Sequence, residues 1–99
     1  FGPVVCLYTY SKLQDAIDRC NSLDLAFQAS VFTKDIDKAM DAVNQINASA
    51  VMVNDHTAFR VDWMPFGGRD SSGIGVGGIP YSMKEMTRDK LMVIRSKSI

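Results

Sequence analysis

Few side chains in this 99-residue chain are suited to chemistry. Cys6 and Cys20 are its two thiols and His56 its one imidazole. A reactive thiolate needs an electropositive, partly exposed setting. Cys6 instead stands in the apolar run Val4-Val5-Cys6-Leu7-Tyr8, and Cys20 closes an apolar helical stripe. Both are expected as small core residues, the common fate of a free cysteine. His56, in Asn54-Asp55-His56-Thr57, has the type of a general base. It has no second histidine or nearby cysteine, so zinc-site spacing is not met. A loop hydrogen bond is the expectation for it. Gly73-Ile74-Gly75-Val76-Gly77-Gly78 fits G-x-G-x-x-G, a pattern that can seat a pyrophosphate on a helix N-terminus. That use needs a strand just before it and an acid about twenty residues after it. Arg69-Asp70-Ser71-Ser72 is no strand, and no acid follows Asp89. The glycines read instead as a loop requiring positive φ or close packing. Arg60 and Trp63 lie in Phe59-Arg60-Val61-Asp62-Trp63-Met64-Pro65-Phe66. Aromatic groups with one cation can form a pocket wall with a polar anchor. Arg60 could equally pair with Asp62 or Asp55 at the surface, and composition leaves the two readings open.

These groups need elements to hold them. Val4 to Tyr10 is β-branched and aromatic throughout, as in a strand buried on both faces. Ser11 with Gln14 has the form of a capping box, and Leu13, Ala16, Ile17 and Cys20 follow a helical stripe. Phe27 to Phe32 reads as a second strand. Thr33 is placed to cap a second helix with Asp35 and Asp37 in its first turn. Ile36, Ala39, Met40, Val43 and Ile46 would be its buried stripe, and Ala50 to Val53 a third strand. The order βαβαβ predicts an α/β fold with a parallel, doubly wound sheet. A long loop over 54–80 follows, carrying six of the seven glycines. Such loops in α/β proteins usually serve function. A short helix from about Tyr81 to Met86 and a C-terminal edge strand over Leu91 to Ile94 complete the expectation.

Composition narrows the function classes. Eleven basic and eleven acidic residues cancel, unlike the basic excess of a nucleic-acid-binding domain. A hydrophobic share of 46% argues against disorder. Two cysteines are too few for a disulfide-stapled secreted module, which points to a reducing compartment, the cytoplasm. The longest apolar run is too short to cross a membrane. The chain opens on Phe1-Gly2-Pro3 without a methionine, so a segment of a longer protein is expected.

Several blocks taken together resemble one family. They are Phe1-Gly2-Pro3-Val4, Asp15-Ala16-Ile17 with Asn21, Ala29-Ser30-Val31-Phe32-Thr33 with Asp35, and Val53-Asn54. Pro65-Phe66-Gly67-Gly68, Ser72-Gly73-Ile74-Gly75 and Glu85-Met86-Thr87 continue the series. Their order and spacing are similar to the C-terminal fifth of the aldehyde dehydrogenase superfamily, over essentially the whole chain. The stretch Gly73 to Thr87 most resembles the branch of the non-phosphorylating glyceraldehyde-3-phosphate and lactaldehyde enzymes.

The resemblance implies NAD- or NADP-dependent oxidation of an aldehyde to its acid. In the family a cysteine thiolate attacks the aldehyde, hydride passes to nicotinamide, and a glutamate-activated water releases the acid. That cysteine lies in a G-Q-x-C segment before F-G-P, so neither Cys6 nor Cys20 matches it. The base glutamate also lies upstream, and no catalytic residue is expected within the chain. Phe1 matches an aromatic near the nicotinamide ribose, and Phe66 one that lines the aldehyde pocket. Family members acting on phosphorylated aldehydes place an arginine like Arg60 against the substrate anion. A small anionic or hydroxylated aldehyde is the implied substrate. The dinucleotide binds elsewhere in the family, which makes the glycine pattern coincidental. Residues 1–87 would belong to the catalytic domain and 88–99 to an oligomerisation strand of a homodimer or homotetramer. No metal, nucleic acid or membrane is implied. The rival readings are a non-catalytic α/β binding or regulatory module and a nucleotide-binding domain.

Overall fold

A computed structural model describes residues 2–98. Helix α1, Leu13–Cys20, forms where the apolar stripe begins, and Ile17 is its buried residue. Strand β1, Leu25–Ala26, leads after one residue into β2, Gln28–Val31. Helix α2, Ile36–Gln45, then crosses to β3, Ala50–Val53. β2 and β3 pair in parallel, from Gln28 opposite Ala50 to Val31 opposite Val53. Parallel neighbours require such a crossover, and α2 supplies it. A second pair, antiparallel, joins β1 to β4, Arg69–Asp70. Helix α3, Ile79–Glu85, opens with a proline in its first turn, where a missing N–H costs nothing.

The α/β class and the α1–β2–α2–β3 order agree with the sequence, and β3 has the expected bounds. The wide parallel sheet does not form within the chain. Among the described residues there are two sheets of two strands each. Residues 4–10 are not a strand: Val4, Val5 and Leu7 are 79%, 83% and 90% exposed. A strand meant for burial on both faces needs neighbours on both edges, and none of the described strands pairs with this stretch. Leu91 to Ile94 is likewise exposed and pairs with no strand among the described residues. The pairing of β1 with β4 was not expected, because two-residue strands carry no periodic signal.

Helix caps also differ from the reading. α1 starts after Lys12, with no side-chain cap, rather than after Ser11. Asp35, not Thr33, caps α2, accepting hydrogen bonds from the backbone N–H groups of Asp37 and Lys38. Thr33 Oγ1 in turn accepts from the Asp35 N–H. The bond from the Lys38 N–H, then the Lys38 side chain at 3.3 Å, hold the Asp35 carboxyl below its ordinary 3.8. The charged cap therefore supports the fold above pH 3.8, and the support is lost as pH falls through the lowered value.

The core is small. Ile17, Ala26, Ala39, Ala42 and Met52 are its buried apolar residues. On α2 the packed line runs through the alanines, while Ile36, Met40 and Val43 face outward. Ala39 alone of the expected stripe is among the buried residues, and Ala42, outside that stripe, joins it. Cys6 and Cys20 are exposed, against the expectation of burial. Cys6 lost its cover with the unformed strand, and Cys20, at the last turn of α1, shares an open recess with Leu13, Ala16 and Ile17.

Candidate functional site

The loop from Asn54 to Gly78 carries the candidate groups, and its start is fixed. Asn54 has φ +58°, the left-handed region that asparagine tolerates. Its backbone N–H donates to Val31 O at 2.8 Å. Its side chain accepts from Thr33 N–H and donates to Thr33 O, both at 2.8 Å. One residue thus ties the ends of β2 and β3 together where the loop departs.

Glycines fix the far end. Phe66 and Gly77 exchange two backbone hydrogen bonds, Phe66 N–H to Gly77 O at 3.0 Å and the reverse at 2.6 Å. A side chain on Gly67 would put its Cβ 2.7 Å from Gly75 O. Gly78, at φ +110°, would put one 2.5 Å from Met64 O. The G-x-G-x-x-G stretch is therefore built for close backbone packing against residues 64–68 and leads into a seven-residue helix.

Phe66, half-buried, is the hub of the site. The Arg60 guanidinium lies over its ring, 4.3 Å from the centroid. Phe27 meets it nearly at right angles, with centroids 5.2 Å apart and planes inclined by 76°. Two of the sequence candidates, Arg60 and Phe66, are thus brought together. Among the described residues Arg60 makes no ion pair with Asp55 or Asp62. Asp55 instead accepts from the His56 N–H and stands 3.8 Å from its Nε2, on the surface. Phe1, the expected cofactor contact, lies outside the described residues. Trp63, 72% exposed, does not join the hub.

A shallow recess of about 310 Å³ opens beside Phe66, walled by Phe27, the glycine loop, Ser82 and Glu85. Its one ionisable wall residue is an acid, so it does not suit an anion. The face of Phe66 carrying Arg60 does. A stacked guanidinium keeps its edge donors free for a planar or tetrahedral oxyanion. Among the described residues, no three histidine, cysteine or acidic side chains stand together as a metal site. No helix there is long and apolar enough to cross a membrane. Sequence reasoning did not single out Phe27. Its part depends on a tertiary contact with Phe66, 39 positions away, that no local pattern encodes.

With Phe66 seated between the loop start and the glycine return, the blocks read in the sequence have a common geometry. The chain belongs to the aldehyde dehydrogenase family, whose model matches residues 1–92. It is 39% identical over 94 residues to the 3-sulfolactaldehyde dehydrogenase of Priestia aryabhattai, covering 95% of this chain and 20% of that protein. It superposes on aldehyde dehydrogenase 21 of Physcomitrella patens, solved in complex with the reaction product succinate. There the TM-score is 0.84 and the identity 41%, over 95% of this chain and 20% of that one. It also matches the glyceraldehyde-3-phosphate dehydrogenase of Methanocaldococcus jannaschii complexed with NADP. That TM-score is 0.72 at 37% identity, over 77% of this chain and 17% of that one. The chain thus spans about a fifth of the length of the first two relatives.

Proposed function

We propose that these residues serve an NAD- or NADP-dependent dehydrogenase that oxidises a small anionic or hydroxylated aldehyde to its acid. The observation that carries the substrate class is the Arg60 guanidinium, stacked on Phe66 and free of any carboxylate partner among the described residues. The names of the three relatives support it. One acts on a sulfonated aldehyde, one on a phosphorylated aldehyde, and one was solved with a dicarboxylate product. Family membership supports nicotinamide as the hydride acceptor, and the Methanocaldococcus structure holds NADP.

The division of labour follows from what the chain contains. Nicotinamide, when bound, accepts hydride from the aldehyde carbon. Phe1 flanks its ribose, by resemblance to the family. Phe66 lines the aldehyde pocket, and Arg60 fixes the far end of the substrate by its charge. The thiolate nucleophile and the base are supplied by residues outside 1–99. In the whole protein the β2–β3 pair would extend into a larger, doubly wound parallel sheet, in a cytoplasmic enzyme that handles neither nucleic acid nor membrane. The test is nicotinamide reduction by the intact dehydrogenase carrying these residues, with succinic semialdehyde and with butanal. Turnover favouring the anionic aldehyde is expected. Absence of turnover with either aldehyde and either nicotinamide would count for the binding-module reading.

Residues 88–99 are proposed to hold subunits together in a homodimer or homotetramer. Leu91, Met92, Val93 and Ile94 are consecutive, apolar and between 69% and 87% exposed. An extended apolar segment of this kind gains most by adding to another sheet. Deleting 88–99 from the intact protein should lower its mass in light scattering toward that of a single subunit. An unchanged oligomer would exclude the segment from the interface.

A further inference from the structure

We infer that Phe27 is a positioning residue for the anion-reading guanidinium: it fixes the ring of Phe66, and that ring fixes Arg60. This rests on the reading of Arg60 as the substrate-anion contact. The guanidinium is exposed and stands 4.3 Å above the Phe66 ring. Without an acidic partner among the described residues, the orientation of its fork is set by the plane it stacks on. That plane is not fixed by backbone alone. The two hydrogen bonds to Gly77 hold the Phe66 main chain, but rotation of a phenyl ring about χ2 is soft. Phe27 removes that freedom. Its ring stands at 76° to Phe66, at a centroid distance in the favourable range for perpendicular aromatic pairs.

The main chain of Phe27 is held firmly, and its ring, 40% exposed, and that of Phe66 limit each other through their perpendicular contact. The Phe27 carbonyl accepts from Ser49 N–H at 2.8 Å, Ala50 N–H at 3.3 Å and Ser49 Oγ at 2.5 Å. The preceding Ala26 N–H donates to Ser72 Oγ at 2.8 Å. Phe27 is thus braced from the start of β3 on one side and from the glycine loop on the other. The order runs from the sheet to Phe27 by backbone hydrogen bonds, to Phe66 by a perpendicular ring contact, and to Arg60 by the guanidinium over that ring. A leucine at position 27 would fill similar space without setting an angle.

The experiment is a double-mutant cycle in the intact dehydrogenase, reading the ratio of kcat/KM for succinic semialdehyde to that for butanal. Phe27→Leu should lower this ratio about two- to tenfold, the span of a lost aromatic pair. Phe27→Tyr, which keeps the ring, should restore most of it. In the Arg60→Leu background, Phe27→Leu should lower the ratio no further, since coupled residues do not add. Phe27→Met gives a second test if the leucine variant fails to fold. A merely structural Phe27 would lower both substrates equally and leave the ratio alone, and that result overturns the inference. Arg60→Leu separates the two claims. If it lowers the ratio and Phe27→Leu does not, only the positioning role falls. If it leaves the ratio unchanged, the anion reading falls and the positioning role with it.

Discussion

Arg60→Leu in the intact dehydrogenase is expected to lower kcat/KM for an anionic aldehyde by roughly 30- to 700-fold. That is about 2–4 kcal/mol of transition-state binding, the range for truncating one partner of a desolvated charge pair. A neutral aldehyde of the same length should change little. The asymmetry is the measurement, because a loss of general stability would depress both. Geometry already weighs against the surface-pair alternative. Asp55 is engaged with His56, and Asp62 does not reach Arg60 as an ion-pair partner. The cation instead lies over an aromatic face, which costs it none of its edge donors. Arg60→Lys is a sharper probe. It keeps the charge but not the planar fork, so part of the discrimination should be lost even though an ammonium remains. An equal fall for both aldehydes in Arg60→Leu would remove Arg60 from the substrate site.

The chain 1–99 on its own should show no aldehyde oxidation above background, a loss of at least about four orders of magnitude relative to the whole enzyme. That is the scale set by removing a catalytic nucleophile. Both thiols are exposed, so access alone does not disqualify them. What they lack is the G-Q-x-C setting in which the family carries its nucleophile. The recess along Cys6 and Cys20 is lined by Tyr8, Tyr10, Asp15 and Arg19 among others, with no histidine or glutamate to serve as base. The one guanidinium there stacks on Tyr8, 4.4 Å from the ring centroid. Measurable reduction of NAD or NADP that vanished in Cys6→Ser or Cys20→Ser would place the nucleophile in this chain after all.

The parts of the fold that the sequence disclosed are those set by local periodicity. Ile17 marks the buried side of α1, and Ala50 to Val53 is bounded by its own apolar run. The misread parts depend on something beyond the segment itself. Val4 to Tyr10 has every mark of a buried strand, yet strand formation needs a partner edge as well as a pattern. On α2 Ala39 of the expected stripe is buried, but Ala42 rather than Ile36 or Met40 lies with it in the core, since residue size along one helix does not say which side meets the rest of the chain. At the site, Arg60 and Phe66 stood out by type and by resemblance. The contact that orients them comes from Phe27, brought over by the β1–β2 bend, and nothing near position 27 announces it. Asn54 was visible only as part of a motif, while its left-handed turn explains why an asparagine follows β3.

Among the described residues, the two-stranded β2–β3 ladder has no strand on either of its outer edges. The chain also exposes Leu7, Phe32 and Leu91, so unpaired strand edges and uncovered apolar side chains occur in the same segment. Natural proteins blunt such edges with charge, proline or a covering element, and β2 and β3 have none of these within their own residues. Released by proteolysis or made as a separate polypeptide, the segment is therefore a template for strand addition between copies. Its solubility would depend on the neighbouring sequence that caps the ladder, so domain boundaries chosen for recombinant work should keep the two together.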